Sequence, residues 1–287
     1  MLNGDPADLL APADTGGTRR IAREVWRIVA PNPSPLTGPG TNTYVVGEQR
    51  RLVIDPGPAD LVHIARILRI TGGTVDRIIC THSHTDHSPG AALLRERTGA
   101  AVFGMPAPEV DDYQDDTYAP DHCVADGEPI EGADFVLTAL HTPGHASHHV
   151  CLLLESSGLL FTGDHLMSGS TVVILPPDGS MRQYLESLSR LRELRVRDLA
   201  PGHGAVIEGA VAEIDRVIAH RMAREAKVID AMRAHATATM DTLLPIVYAD
   251  VPPFMHPVAR YSLLAHALKL EEEGRALRAG EAWKWLG

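Results

Sequence analysis

Residues 81–90 read Thr-His-Ser-His-Thr-Asp-His-Ser-Pro-Gly, so His82, His84, Asp86 and His87 fall within six positions, directly after the apolar run Arg77-Ile78-Ile79-Cys80-Thr81. The run is short and β-branched, as expected of a buried strand that ends where the histidines begin. Four ionisable groups crowded beside a core must be paired or must hold a metal, because buried polar groups without partners are costly. Imidazole nitrogen and carboxylate oxygen suit borderline divalent ions such as zinc. His82 and His84, two apart on extended backbone, project to one side and can grip one ion. Asp86 and His87 lie where the chain turns towards a helix expected from Pro89 to Arg97, and can face a second position. A lone histidine in such a loop is usually a surface residue. Three with an aspartate at this spacing favour a metal site.

Three further ligand types follow in order. His145 stands in Thr142-Pro143-Gly144-His145 after the strand-like run Phe135–Leu140; Asp164 follows Leu159-Leu160-Phe161-Thr162-Gly163; His203 lies in Pro201-Gly202-His203-Gly204 after Leu199-Ala200. Each comes at the end of an expected strand beside glycine. Open αβ folds place reactive groups there, since strand ends are rigid and glycine permits close approach.

With these residues in view, the chain resembles the metallo-beta-lactamase fold superfamily from about Arg20 to Gly209. The resemblance implies an α/β fold, an αββα sandwich, with His82, His84 and His145 holding a first metal. Asp86, His87 and His203 would hold a second, and Asp164 would bridge both. The expected cofactors are two divalent ions, zinc in the first instance, with iron or manganese as alternatives. The pattern departs from the antibiotic-hydrolysing enzymes that use a cysteine ligand, because His165 follows Asp164 and Cys80, Cys123 and Cys151 all fall outside the motifs. It departs from flavodiiron relatives as well, where position 84 would be an acid. Hydrolysis is therefore expected rather than redox chemistry.

Composition sets outer limits. With 287 residues and 44% hydrophobic content, the chain is long enough for one large domain and one small one. No run of eighteen apolar residues occurs and the N-terminus lacks a basic segment followed by an apolar one, so neither a membrane span nor a secretory signal is expected and cytoplasmic residence is the default. The three cysteines show no CxxC spacing, and reduced, buried thiols are expected.

Along the chain, residues 1–17 read as a loose arm, 18–209 as the catalytic domain and 210–287 as a helical C-terminal domain. Four prolines between Ala30 and Gly40 dictate a stiff loop, expected to border the substrate cleft. Asp55 is expected to orient a ligand histidine or brace the loop, and the apolar spacing of Asp60–Thr71 predicts a core-facing helix. After residue 209, helices are predicted over Ala210–His235, Met240–Tyr248 and Pro257–Glu272, with Gly274 as a stop and a small terminal hairpin. This resembles a winged helix, and the stretch Ala265–Arg275, with Gly40-Thr41-Asn42-Thr43-Tyr44 in the core, resembles the beta-lactamase-like protein 2 group, which includes an endoribonuclease acting on single-stranded RNA.

Charge weighs against long RNA. From His220 onwards there are nine basic and eight acidic residues, and the whole chain carries −11, so the first 219 residues hold about −12 and no broad basic track is present. The expectation is a hydrolase that uses a hydroxide shared between two metals to cleave a small ester, thioester or lactone, with Asp86 orienting the water and accepting its proton. An endoribonuclease of single-stranded RNA is the alternative, and a binding protein that kept the fold without catalysis is a third. A small-molecule substrate is the expected partner, with RNA and a second copy of the chain as further partners and no membrane. His148, His149 and His165 sit beside ligands, with substrate contact and packing both open.

Overall fold

The central strands of the N-terminal half, Asn42–Val46 and Leu52–Ile54, are buried on both faces, and the alternation decides the layers. In the computed structural model, which describes residues 17–110 and 113–287, the chain divides into two units. The first takes in the described residues up to Thr142, His148–Thr171 and Arg195–Ala210; the second takes in Pro143–Ser147, Val172–Leu194 and Val211–Gly287. Two internal segments thus group with the C-terminal residues, unlike the single boundary expected near residue 209. The arm expected over residues 1–17 lies outside the described residues except for Gly17.

The first unit holds two sheets. One runs in the order β1 (Thr18–Ala22), β2 (Val25–Val29), β3 (Asn42–Val46), β4 (Leu52–Ile54), β5 (Arg77–Ile79), β6 (Ala101–Gly104) and β7 (His122–Cys123). Pairing is antiparallel from β1 to β4 and parallel from β4 to β7. The parallel steps need crossovers, supplied for β4–β5 by α1 (Leu61–Thr71) and for β5–β6 by α2 (Gly90–Thr98), while β6 connects to β7 without a helix among the described residues. The Asp60 carboxylate caps α1 by accepting from the His63 amide at 2.7 Å. The other sheet contains β8 (Pro129–Glu131), β9 (Val136–His141), β10 (Val150–Leu154), β11 (Leu159–Gly163), β12 (Asp198–Pro201) and β13 (Ile207–Glu208), in reverse spatial order.

Period-two alternation sends Tyr44, Val46, Leu52, Ile54 and Ile79 into one buried cluster with Leu137, Ala139, Leu152, Leu154 and Phe161 of the facing sheet. The intervening Val45, Val53 and Ile78 pack with Ile64 and Ile67 of α1 and Leu94 of α2. Strands of three residues suffice because both faces are buried. The expected Asp60–Thr71 helix and the Arg77–Thr81 strand appear as α1 and β5. Strand β1 is an addition to the expected elements.

The second unit contains α3 (Met181–Arg192), most of α4 (Ala210–Arg233), α5 (Met240–Val247) and α6 (His256–Glu272), and a small sheet of β14 (Ala238–Thr239), β16 (Ala282–Trp285) and β15 (Ala276–Ala279). Its core joins Val228 and Met232 of α4, Leu243 and Val247 of α5, Leu263 and Leu270 of α6, and Trp283 of the terminal hairpin. That is the helix, helix, helix and wing order expected. Helix α3 is a further addition, although Met181, Tyr184, Leu188 and Leu191 are buried at helical spacing.

Cys80 and Cys151 are buried free thiols, whereas Cys123 is exposed because β7 is a two-residue strand at the sheet edge. No helix among the described residues is long and apolar enough to cross a membrane.

One buried ion cluster ties α4 to α6: the Lys269 ammonium donates to Glu225 at 2.9 Å and His266 Nδ1 lies 3.3 Å from the same carboxylate, whose side chain is 2% exposed. Lys269→Met leaves that carboxylate without its cation and is expected to destabilise the protein by about 3–5 kcal/mol, whereas Lys269→Met with Glu225→Leu recovers most of the loss. Denaturant unfolding checks this. A single variant as stable as the wild type would show the pair to be energetically idle.

Candidate metal centre

Parallel neighbours bring their C-terminal ends to one edge, and the expected ligands hang there. The loop carrying His82, His84, Asp86 and His87 leaves β5, next to Asp55 at the end of β4, with Ile54 paired to Ile79. In the facing sheet β11 and β12 run parallel with Gly163 paired to Pro201, so Asp164 and His203 emerge side by side. The two edges are stitched together by backbone bonds from Val150 N to the Thr81 carbonyl (2.8 Å) and from Asn42 N to the Gly202 carbonyl (2.7 Å).

All seven expected ligands fall into three groups of potential metal-binding atoms: His82, His84 and His145; His82, His87 and Asp164; Asp86, His87 and His203. Within each group the ligand atoms lie within 4.8 Å of one another. Asp164 shares its group with His82 and His87, one from each of the two expected sets. Its Oδ1 sits 3.3 Å from His87 Nε2 and 3.2 Å from His203 Nε2. Asp86 Oδ2 approaches the same two nitrogens at 3.5 and 3.2 Å.

The tautomers suit a metal. His87 Nδ1 donates to Asp55 Oδ2 at 2.9 Å, His145 Nδ1 to the Val173 carbonyl at 2.8 Å, and His203 Nδ1 to the Gly40 carbonyl at 3.4 Å. The Thr81 hydroxyl gives its proton to Asp55 Oδ2 (2.8 Å), so it accepts from His82 Nδ1 at 3.0 Å. Four imidazoles thus have Nδ1 committed as a donor, which would leave Nε2 as the nitrogen that faces an ion. Two of these Nε2 atoms, on His87 and His203, lie 3.3 Å apart amid buried carboxylates. A shared cation satisfies that donor set, so the residues present fit a divalent ion.

Electrostatics say the same. Burial alone would lower the His87 pKa, but Asp86, Asp164 and Asp55 outweigh it and hold the imidazole well above its usual range. Burial likewise opposes protonation of His203, and Asp164 and Asp86 carry its pKa to about 9. Burial would raise Asp86, yet His87 and His203 bring it down to about 2.

Asp55 does both jobs expected of it. Its Oδ1 accepts the Thr81 amide at 2.7 Å while Oδ2 holds His87, and it adopts a left-handed φ of +48° to do so, a conformation that aspartate tolerates better than most residues. Gly202 is required by space: a Cβ there would lie 2.7 Å from both Asp164 Oδ1 and His87 Cε1.

Several supporting residues have no role assigned by the sequence. His148 Nε2 accepts from Ser83 N at 2.9 Å and His149 Nε2 accepts from Asp164 N at 3.2 Å, so both brace the backbone of ligand loops. Asn42 donates to the carbonyls of Pro201 and Gly204 at 2.8 and 2.9 Å, fixing the loop that carries His203. Adjacency to ligands is the only sequence signal for the two histidines.

The sequence matches the model of the metallo-beta-lactamase superfamily over residues 36–203 and that of the beta-lactamase associated winged helix domain over residues 239–285. The chain belongs to the metallo-beta-lactamase superfamily. Its members are generally hydrolases. It is 32% identical to a beta-lactamase-like protein 2 homolog of Drosophila melanogaster, over 93% of this chain and 92% of that protein. It is also 32% identical to an atrochrysone carboxyl ACP thioesterase of Passalora fulva, over 93% of this chain and 82% of that one. A metallo-beta-lactamase family protein of Thermus thermophilus shares the fold with a TM-score of 0.77 at 23% identity, over 93% of this chain and all of that one.

Metal ligation requires neutral imidazole, and the carboxylates around His87 and His203 favour their protonated forms, holding His87 well above its usual range and carrying His203 to about 9. Loading with zinc at pH 7 is therefore expected to release protons, with apparent affinity rising as pH increases through the range in which these imidazoles lose them. Calorimetry in buffers of different ionisation enthalpy reads the release directly. A heat independent of buffer would contradict the protonated cluster.

Proposed function

We propose that this protein is a binuclear metal-dependent hydrolase of small esters, with thioesters as the preferred class. The observation that carries the reading is the convergence of Asp86, His87, His203, Asp164, His82, His84 and His145 in overlapping ligand groups. His82, His84 and His145 would hold one divalent ion and Asp86, His87 and His203 the other, with Asp164 placed beside members of both sets. Ions bound there supply Lewis acidity, which acidifies water towards neutral pKa and offsets negative charge developing on oxygen.

Asp86 is the proton acceptor. Its side chain is 28% exposed against 13% for Asp164, so it is the carboxylate that incoming water meets. His203 at 3.2 Å and the Thr41 hydroxyl at 3.5 Å fix its Oδ2. Once protonated, Asp86 can return the proton to the leaving group. A thiolate, with a pKa of about 8.5, needs that help far less than an alkoxide does, so a site with one assigned proton carrier favours thioesters. The thioesterase among its relatives accords with this.

Charge supports a small substrate over single-stranded RNA. The segment paired to the ligand loop, through the His84–Gln114 bridge and the bond from Thr85 N to the Tyr113 carbonyl, contains Asp115 and Asp116. In the second unit Arg260 pairs with Asp241, Lys269 with Glu225 and Glu273, and Arg275 with Glu273. Cations already matched to internal acids contribute little to counterion release from a phosphate chain. Cytoplasmic residence and a monomeric or paired state belong to the same proposal and have no bearing on the chemistry.

The metal-loaded protein tested against an acyl-pantetheine thioester, p-nitrophenyl acetate, a homoserine lactone and a labelled RNA oligonucleotide is expected to turn over the thioester fastest. Cleavage of RNA alone would reverse the assignment. Asp86→Asn should keep ions bound and lose about 10²-fold or more in kcat, the scale of general-base removal; a wild-type rate would leave Asp86 as a ligand only. Asp164→Ala should cost more metal than loss of any single histidine, measured by elemental analysis after gel filtration, and retention of both ions would discard the bridging role.

A further inference from the structure

We infer that Arg221, on α4 of the C-terminal unit, is a positioning residue for the ligand His145, a conclusion that rests on the binuclear reading above. Arg221 is 3% exposed. Burial of a guanidinium is expensive unless its donors meet acceptors in fixed geometry. Here Nη2 donates to the Val172 carbonyl. The next carbonyl, that of Val173, accepts from His145 Nδ1 at 2.8 Å.

Arg221 and His145 therefore grip consecutive carbonyls of one stretch. That stretch, residues 171–175, has no helix or strand ladder of its own to hold it, and Val172 and Ile174 are buried at 2% and 0%. The Leu175 carbonyl accepts from Gly179 N at 2.7 Å, while the Val172 and Val173 carbonyls are held by side chains. Removing the guanidinium frees the peptide whose neighbour sets the ring orientation and tautomer of His145.

A second route leads from the same guanidinium to the same ligand. Arg221 lies over the Tyr184 ring at 5.3 Å, and the Tyr184 backbone abuts Gly144, where a Cβ would come within 2.4 Å of the Tyr184 Cα. Gly144 precedes His145. Ser180 N donates to the Gly144 carbonyl at 2.8 Å, and the Ser187 hydroxyl donates to that of Pro143 at the same distance. Helix α3 thus pins the His145 loop from one side, while Arg221 clamps both Tyr184 and the Val172–Val173 stretch. The guanidinium meets one carbonyl through Nη2 and one ring face, and its buried Nε has no hydrogen-bond partner. That arrangement makes it an orienting device for backbone.

The test is a Co(II) titration of the metal-free full-length protein, followed by its visible absorption, with thermal unfolding alongside. Arg221→Met, which keeps the length over Tyr184 and removes the donors, is expected to weaken one of the two Co(II) sites by about 10- to 100-fold, the usual cost of losing a partner of a ligand, and to change that site's spectrum. Arg221→Lys, which retains a charged donor for the Val172 carbonyl, should recover most of the affinity. In a His145→Ala background, Arg221→Met should cause no further loss. A wild-type isotherm for Arg221→Met, an additive loss in the His145→Ala background, or equal weakening of both sites in proportion to a fall in Tm would each overturn the inference. Its failure is distinguishable from failure of the underlying site: a wild-type chain that binds no Co(II), or a His145→Ala chain with a wild-type isotherm, refutes the ligand assignment itself.

Discussion

Three carboxylates converge on one buried imidazole: Asp55 Oδ2 at 2.9 Å, Asp164 Oδ1 at 3.3 Å and Asp86 Oδ2 at 3.5 Å from the two nitrogens of His87. Negative charge this concentrated inside a fold is tolerable only beside compensating positive charge. The carboxylates raise the pKa of His87 and His203, which favours positive charge on the rings, and a divalent ion held by the cluster would offset the same charge across several groups at once. The surrounding architecture serves this balance. Parallel strand ends deliver the groups to one edge, Asp55 accepts a left-handed φ to span two loops, and Gly202 gives up its side chain so that Asp164 and His87 can meet.

The part of the site legible in the sequence is the part held by local backbone. His82, His84, Asp86 and His87 share one loop after a strand whose apolar β-branched run is plain to read, whereas their division between groups is tertiary, since His82 joins both His84 and His87. Asp164 and His203 are legible as strand ends beside glycine, since β11 is an apolar run and β12 carries Leu199-Ala200 before Pro201. Asp55 is readable from Asp-Pro-Gly after a strand, although its double bond to Thr81 and His87 needs the parallel register of β4 and β5, a tertiary fact. Beyond reach are the roles of His148 and His149. Two histidines beside a ligand motif look like ligands or substrate contacts, and only the positions of Ser83 N and Asp164 N show that their lone pairs are spent on backbone amides.

The C-terminal residues divide the same way. Their helices follow from apolar periodicity and proline and glycine stops, and their near-neutral count of charges is arithmetic. Composition does not reveal how those charges are arranged. Arg260, Lys269 and Arg275 are equally compatible with a phosphate track and with internal pairing, and their carboxylate partners lie at sequence separations from 2 to 44 residues. Helix α3 escapes the sequence reading despite its clear spacing, because it lies between two motif residues, Asp164 and His203, whose surroundings read as strand ends and loops.

Helix α3 matters for His145. The ligands on the β5 loop are steadied by hydrogen bonds within the sandwich, whereas the His145 loop is steadied by Ser180, Tyr184 and Ser187 of α3 and by the Val173 carbonyl. A ligand set assembled from two kinds of support has two kinds of vulnerability. Disturbing the β4–β5 edge strikes His82 and His87 together through Asp55, while disturbing α3 or Arg221 strikes His145 and spares the rest. The support of His145 thus lies wholly within the second unit, in α3, the Val173 carbonyl and Arg221.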